Sequence, residues 1–115
     1  MSDAADATMA LFAGGDPDVQ ATYERLLAVL EEIGPFRVEP KKTSIHIVRE
    51  TGFAGVHPRK RSLILNLRTA QPIQHARITK TEQVSRNRYH NEVKLEQPDD
   101  VDAEIIGWLR DAYET

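Results

Sequence analysis

The sequence contains no cysteine. That excludes a disulfide framework and any chemistry that runs through a thiolate, and it suits a reducing compartment. No apolar run approaches the ~20 residues of a membrane span. The opening Met1-Ser2-Asp3-Ala4-Ala5-Asp6 lacks the basic start of a secretory signal, so a cytoplasmic protein is expected. A Gly-rich phosphate loop, an HExxH helix and a GxSxG elbow are all missing. Aromatics are few: one Trp, three Tyr and three Phe. Tyr23, Phe53 and Trp108 fall at core positions, and the expected sheet has only Tyr89 as a platform for stacking bases, a poor provision for nucleic acid.

What the chain does have is charge, unevenly placed. The net charge of −3 over 115 residues hides three blocks. Residues 37–94 hold 13 Lys and Arg against Glu39, Glu50, Glu82 and Glu92. Residues 1–36 and 95–115 each hold seven acidic residues and one arginine. Such a split is a statement about fields and partners, not about fold.

Periodicity divides the chain in the same places. Residues 1–7 show no pattern and are expected to fray, so the single domain is drawn as 8–115. Residues 8–13 suit a short helix, ended by Gly14-Gly15. Asp16-Pro17 then opens a longer helix, with Asp16 as N-cap and Pro17 at the first helical position. Val19, Tyr23, Leu26, Leu27, Leu30 and Ile33 share one face of it, and Gly34-Pro35 ends it. The middle alternates instead. Strands are expected over 44–49, 53–57, 62–68, 77–84 and 89–96. Gln97-Pro98-Asp99 breaks the sheet, and a last helix is expected from Asp99 or Asp100, with Val101, Ile105, Trp108, Leu109, Ala112 and Tyr113 on its apolar face. The fold class is therefore α+β: an antiparallel sheet of about five strands, with an N-terminal and a C-terminal helix on one face.

Alternation assigns Ile45, Ile47, Leu63, Leu65, Leu67, Val93 and Leu95 to the covered face, with Trp108 buried against the leucines. The other face then shows His46, Val48, Ile64, Asn66, Arg68, His90, Glu92 and Lys94. The turn residues Arg59, Lys60, Arg61, Arg86 and Arg88 rim it, and with Lys41, Lys42, Arg68, Arg77, Lys80 and Lys94 they are expected to line one continuous basic surface. His46, Arg59, Lys60, Arg61, Arg68, Arg86, Arg88, His90 and Lys94 are the candidate binding residues for an acidic protein or a small anion. Weak binding to nucleic acid is a lesser expectation. A small-molecule or enzymatic site on the same face would centre on His46, Arg68, His90 and Glu92, and a homodimer would use Val48 and Ile64. His46, His57, His75 and His90 lack ligand spacing, so no metal or cofactor is expected.

Several stretches carry a resemblance: Val38-Glu39-Pro40-Lys41-Lys42, Thr43 to Ile47, Phe53 with His57-Pro58-Arg59-Lys60, and Asp100-Val101-Asp102 through Trp108-Leu109 to Ala112-Tyr113. From Leu11 to Tyr113 the chain resembles a family of uncharacterised bacterial domains, sometimes labelled "predicted transport protein". That family is distantly similar to YjbR/MmcQ-like and YdhG-like domains, often compared with frataxin. The resemblance implies a helix, sheet, helix layout and no activity. A frataxin-like use of iron would fall to the acidic helix faces, Asp18, Glu24, Glu31 and Glu32 with Asp102, Glu104 and Asp111.

Overall fold

A computed structural model describes residues 3–115. Of the stretch expected to fray, residues 1 and 2 lie outside the described residues; the rest opens α1, Asp3–Ala10. Then come α2 (Pro17–Ile33), β1 (Arg37–Pro40), β2 (Ile45–Val48), β3 (Gly52–Pro58), β4 (Leu63–Thr69), β5 (Ile78–Ser85), β6 (Arg88–Leu95) and α3 (Ala103–Glu114). The strands form one antiparallel sheet in the order β1-β2-β3-β4-β6-β5. There are six strands, not five. The extra one, β1, is a four-residue edge strand ending at Pro40, where a missing N–H costs no ladder bond.

The leucine alternation of β4 decides which face the helices cover. Leu63, Leu65 and Leu67 are fully buried, as are Ile45 and Ile47 of β2, Val56 of β3 and Leu95 of β6. Leu26 and Leu30 of α2 and Ile105, Leu109 and Ala112 of α3 close over them in a single core. Pro17 takes the first turn of α2 and Asp16 the N-cap, although the Asp16 side chain makes no capping bond. α3 starts later than expected. Pro98–Asp100 form a 3-10 turn, and Asp102 is the N-cap, accepting the Ile105 N–H.

Two expected core and surface assignments change. Trp108 is half-buried at the flank of α3, with His75 edge-on to its indole at 5.3 Å between ring centroids. The helix instead turns Tyr113 inward, edge-on to Phe53 at 5.3 Å and 82°. Phe53 is 1% exposed because β3 is irregular there. Ile47 pairs with Ala54 but Val48 pairs with Gly52, leaving Phe53 as an extra residue. Val48 is 6% exposed, so it offers a partner little apolar surface.

Two polar contacts fasten this arrangement. Asn91, fully buried on β6, donates to the Leu67 carbonyl and Thr69 Oγ1 and accepts from the Ile73 N–H and Thr81 Oγ1. Tyr113 Oη donates to the Pro35 carbonyl at 2.8 Å, joining α3 to the end of α2. Gly34 is required by that contact and not by its backbone angles. A Cβ there would lie 2.5 Å from Tyr113 Oη and 2.9 Å from its ring. Gly34→Ala is expected to lower stability by about 1–3 kcal/mol, the range for overpacking. Urea denaturation checks it, and an unchanged midpoint would mean that Tyr113 moves aside freely.

Candidate functional site

Helices cover one face, so the other face of the sheet is where side chains can meet a ligand. A row of register partners crosses it: Glu39, His46, Gly55, Asn66, Glu92 and Lys80, from β1 to β5. Gly55 stands in this row without a side chain between His46 and Asn66. The gap is part of a concavity of about 300 Å³, lined by His46, His57, Asn66, Arg68 and His90 and by β3 from Gly52 to Gly55. Three imidazoles, a guanidinium and an amide therefore surround a floor of strand backbone. Among the described residues no carboxylate lines it.

Arg68 brings a guanidinium to the lining. Its register partner is His90. One terminal nitrogen donates to Thr51 Oγ1 at 2.7 Å, which fixes the guanidinium at the end of β4. Its Nε is buried with no hydrogen-bond partner. Burial, and then the nearby charge of Arg88, lower its pKa from the ordinary arginine value. A cation flanked by another cation is poorly compensated within the protein and suited to an incoming anion.

The remaining predicted residues lie at two opposite ends of the sheet. Arg59, Lys60 and Arg61 occupy the β3–β4 turn. There the Lys60 carbonyl accepts the Asp16 N–H at 2.8 Å, at the start of α2. Arg86 and Arg88 lie at the β5–β6 turn, at the Thr69 end of β4. Lys94 faces Ile64, whose other neighbour is His57. The structure thus brings together His46, Arg68 and His90, with Arg88 near enough to act on Arg68, and leaves Arg59, Lys60 and Arg61 at the far end. His57, Asn66 and Gly55 complete the concavity and were absent from the expected binding set. The cue was a glycine inside a strand, which marks a close approach or a gap.

A family model described as a domain of unknown function (DUF5655) matches residues 8–115. The chain belongs to this family. Comparison with curated proteins finds no match, and comparison with solved structures finds none. Membership in DUF5655 assigns no activity, so the chemistry of this DUF5655 domain has to come from its own geometry.

Among the described residues, that geometry holds no hydrogen-bonded acid–base pair on the open face. His90 and Glu92 make no hydrogen bond with each other, and Glu92 faces Asn66 and Lys80 instead. The one His–carboxylate pair among the described residues is elsewhere: His75 Nε2 lies 2.8 Å from Glu104. Among the described residues no three His, Asp or Glu side chains are grouped to hold a metal ion. Tyr23 is held protonated, its pKa pushed up to about 12 by burial.

Arg77 leaves the expected basic surface altogether. It lies in the loop before β5 and binds both Asp102 oxygens at 3.1 Å, Glu104 at 3.0 Å and the Asp100 carbonyl at 3.0 Å. Burial opposes its charge, but the hydrogen bonds to Glu104 and Asp102 outweigh this and raise its pKa. At Asp102 the Ile105 N–H does most to hold the carboxyl below its ordinary value; burial opposes it and Arg77 adds to it. A depressed carboxylate pKa gives stability that is present above the unfolded value and lost as pH falls through the folded one. Asp102→Asn keeps an N-cap without the charge. Wild type should therefore melt above this variant at about pH 6, and the gap should close towards about pH 3. Asp102→Ala should cost about 1 kcal/mol, the usual worth of a cap. A gap that widens with acid would contradict the assignment.

Proposed function

We propose that this domain is a non-enzymatic binding module of the cytoplasm that takes an anionic group, carboxylate or phosphate, into the open-face concavity. The observation that carries the reading is the lining itself: Arg68, His46, His57, His90 and Asn66 around strand backbone, with no carboxylate among them. An accessory role suits this better than catalysis, because no base is hydrogen-bonded to an orienting group there. The test is a titration with inorganic sulfate at low salt, followed by amide NMR. Shifts are expected at residues 46, 54–57, 66–68 and 90. Arg68→Gln should weaken binding about tenfold, ~1.4 kcal/mol. Shifts confined to the 59–61 turn, or an Arg68→Gln protein that binds as wild type does, would move the site elsewhere.

A second reading has its own observation. Arg59, Lys60, Arg61, Arg86 and Arg88 are exposed and form no ion pair among the described residues. An acidic protein long enough to span the sheet would meet both rims as well as the concavity. Its binding would fall steeply with salt, whereas a ligand held only in the concavity would respond less.

A further inference from the structure

We propose that the ligand of the concavity is a small phosphate monoester whose organic part lies on the backbone at Gly55; this rests on the anion-binding reading above. Three features point to it. The lining offers donors of several kinds on four strands, β2, β3, β4 and β6. A carboxylate has two oxygens in one plane and suits a single arginine fork. A phosphoryl group has three terminal oxygens spread in a tetrahedron, and it uses donors that arrive from several sides. The side-chain donors are a guanidinium, an amide and three imidazoles. Each imidazole can donate at least one N–H in the neutral form.

The second feature is size. A concavity of about 300 Å³ has the room of about ten waters, at ~30 Å³ each. A bare phosphate takes the room of about two or three of those waters, which leaves space for an organic part. The volume is also at the small end of ligand sites, about 300–1,000 Å³, which fits a compact organic group and not a large cofactor.

The third is the floor. Gly55 has no left-handed backbone angle that would demand glycine. A Cβ built there meets only Asn66 Cβ at 3.8 Å and the Ile45 carbonyl at 3.9 Å, both ordinary contacts. The fold would accept alanine, and in a strand a glycine costs stability. What the glycine provides is the empty position between His46 and Asn66, open to the ligand side of the sheet. A flat organic group resting on bare strand backbone uses that position, and a methyl group removes it. Gly55 then sets the specificity of the site without donating any bond.

The experiment compares phenyl phosphate, benzoate and inorganic sulfate by calorimetry at low salt, with wild type and Gly55→Ala. The expected result is that wild type binds phenyl phosphate at least about tenfold more tightly than either other anion. Gly55→Ala should lose about tenfold of that affinity while keeping its sulfate affinity and melting at or above the wild-type temperature. A polyanion such as heparin, if held by the turn cations, should bind both proteins alike. If the three small anions bind equally and Gly55→Ala changes nothing, the monoester inference fails while the anion-binding reading stands. If none of the three binds wild type at millimolar concentration, both fall.

Discussion

Phe53→Ala is expected to destabilise the domain by about 3–5 kcal/mol, with a fall in Tm on the order of 10–20 °C. The side chain is 1% exposed and meets Tyr113 edge-on, so its removal empties a fully enclosed volume between β3 and α3. The same residue is the extra one at the β2–β3 irregularity, and its backbone belongs to the floor of the concavity. The core and the site therefore share one residue. Phe53→Leu keeps most of the volume and should cost much less. Guanidinium denaturation of the two variants is the check. A loss under about 1 kcal/mol for alanine would show that the irregular pairing does not turn Phe53 into the core.

The second large effect falls on Asn91. Asn91→Ala should cost about 2–4 kcal/mol, because several buried partners lose their bonds together and each unsatisfied group costs about 1–3 kcal/mol before relaxation. The Leu67 carbonyl, Thr69 Oγ1 and the Ile73 N–H are those partners. The Ile73 amide should lose its protection against hydrogen exchange, since it bonds the Asn91 side chain. Asn91→Asp should be worse at neutral pH, when a carboxylate faces the Leu67 carbonyl, and should recover partly in acid as that carboxylate takes a proton. If Asn91→Ala loosens exchange only at Ile73 and leaves the melting temperature unchanged, the side chain anchors a loop and does not support the core.

Much of the scaffold was legible from residue order. Asp16-Pro17 and Gly34-Pro35 bracket α2 because their backbone preferences act locally. The alternating leucines of β4 show the covered face because side-chain direction in a strand has period two. The misses have a common cause: they depend on what lies across space. β1 is too short to show a period. Trp108 and Tyr113 both lie on a broad apolar stripe, and only the position of Phe53 decides which turns inward. Arg77 reads as one more surface cation until the loop before β5 brings it to Asp102 and Glu104. Of the site, His46, Arg68 and His90 follow from alternation alone. His57 and the vacancy at Gly55 needed the pairing of β3 with both neighbours.

The strand order β4-β6-β5 has a consequence for how the chain is made. β1 to β4 form a meander of sequential neighbours and leave the ribosome first. At that stage β4 has an unpaired edge, and Leu63, Leu65 and Leu67 lack the cover of α3. The strand that arrives next, β5, does not fill that edge; β6 does, some twenty residues after β4 ends. During synthesis at about 5–20 residues per second, a nascent chain would show this sticky edge for a second or more. The β5–β6 hairpin has to close on itself and dock by its second strand. A chain stopped within β5 would keep the edge for good, making that segment the point where truncation favours edge-to-edge aggregation.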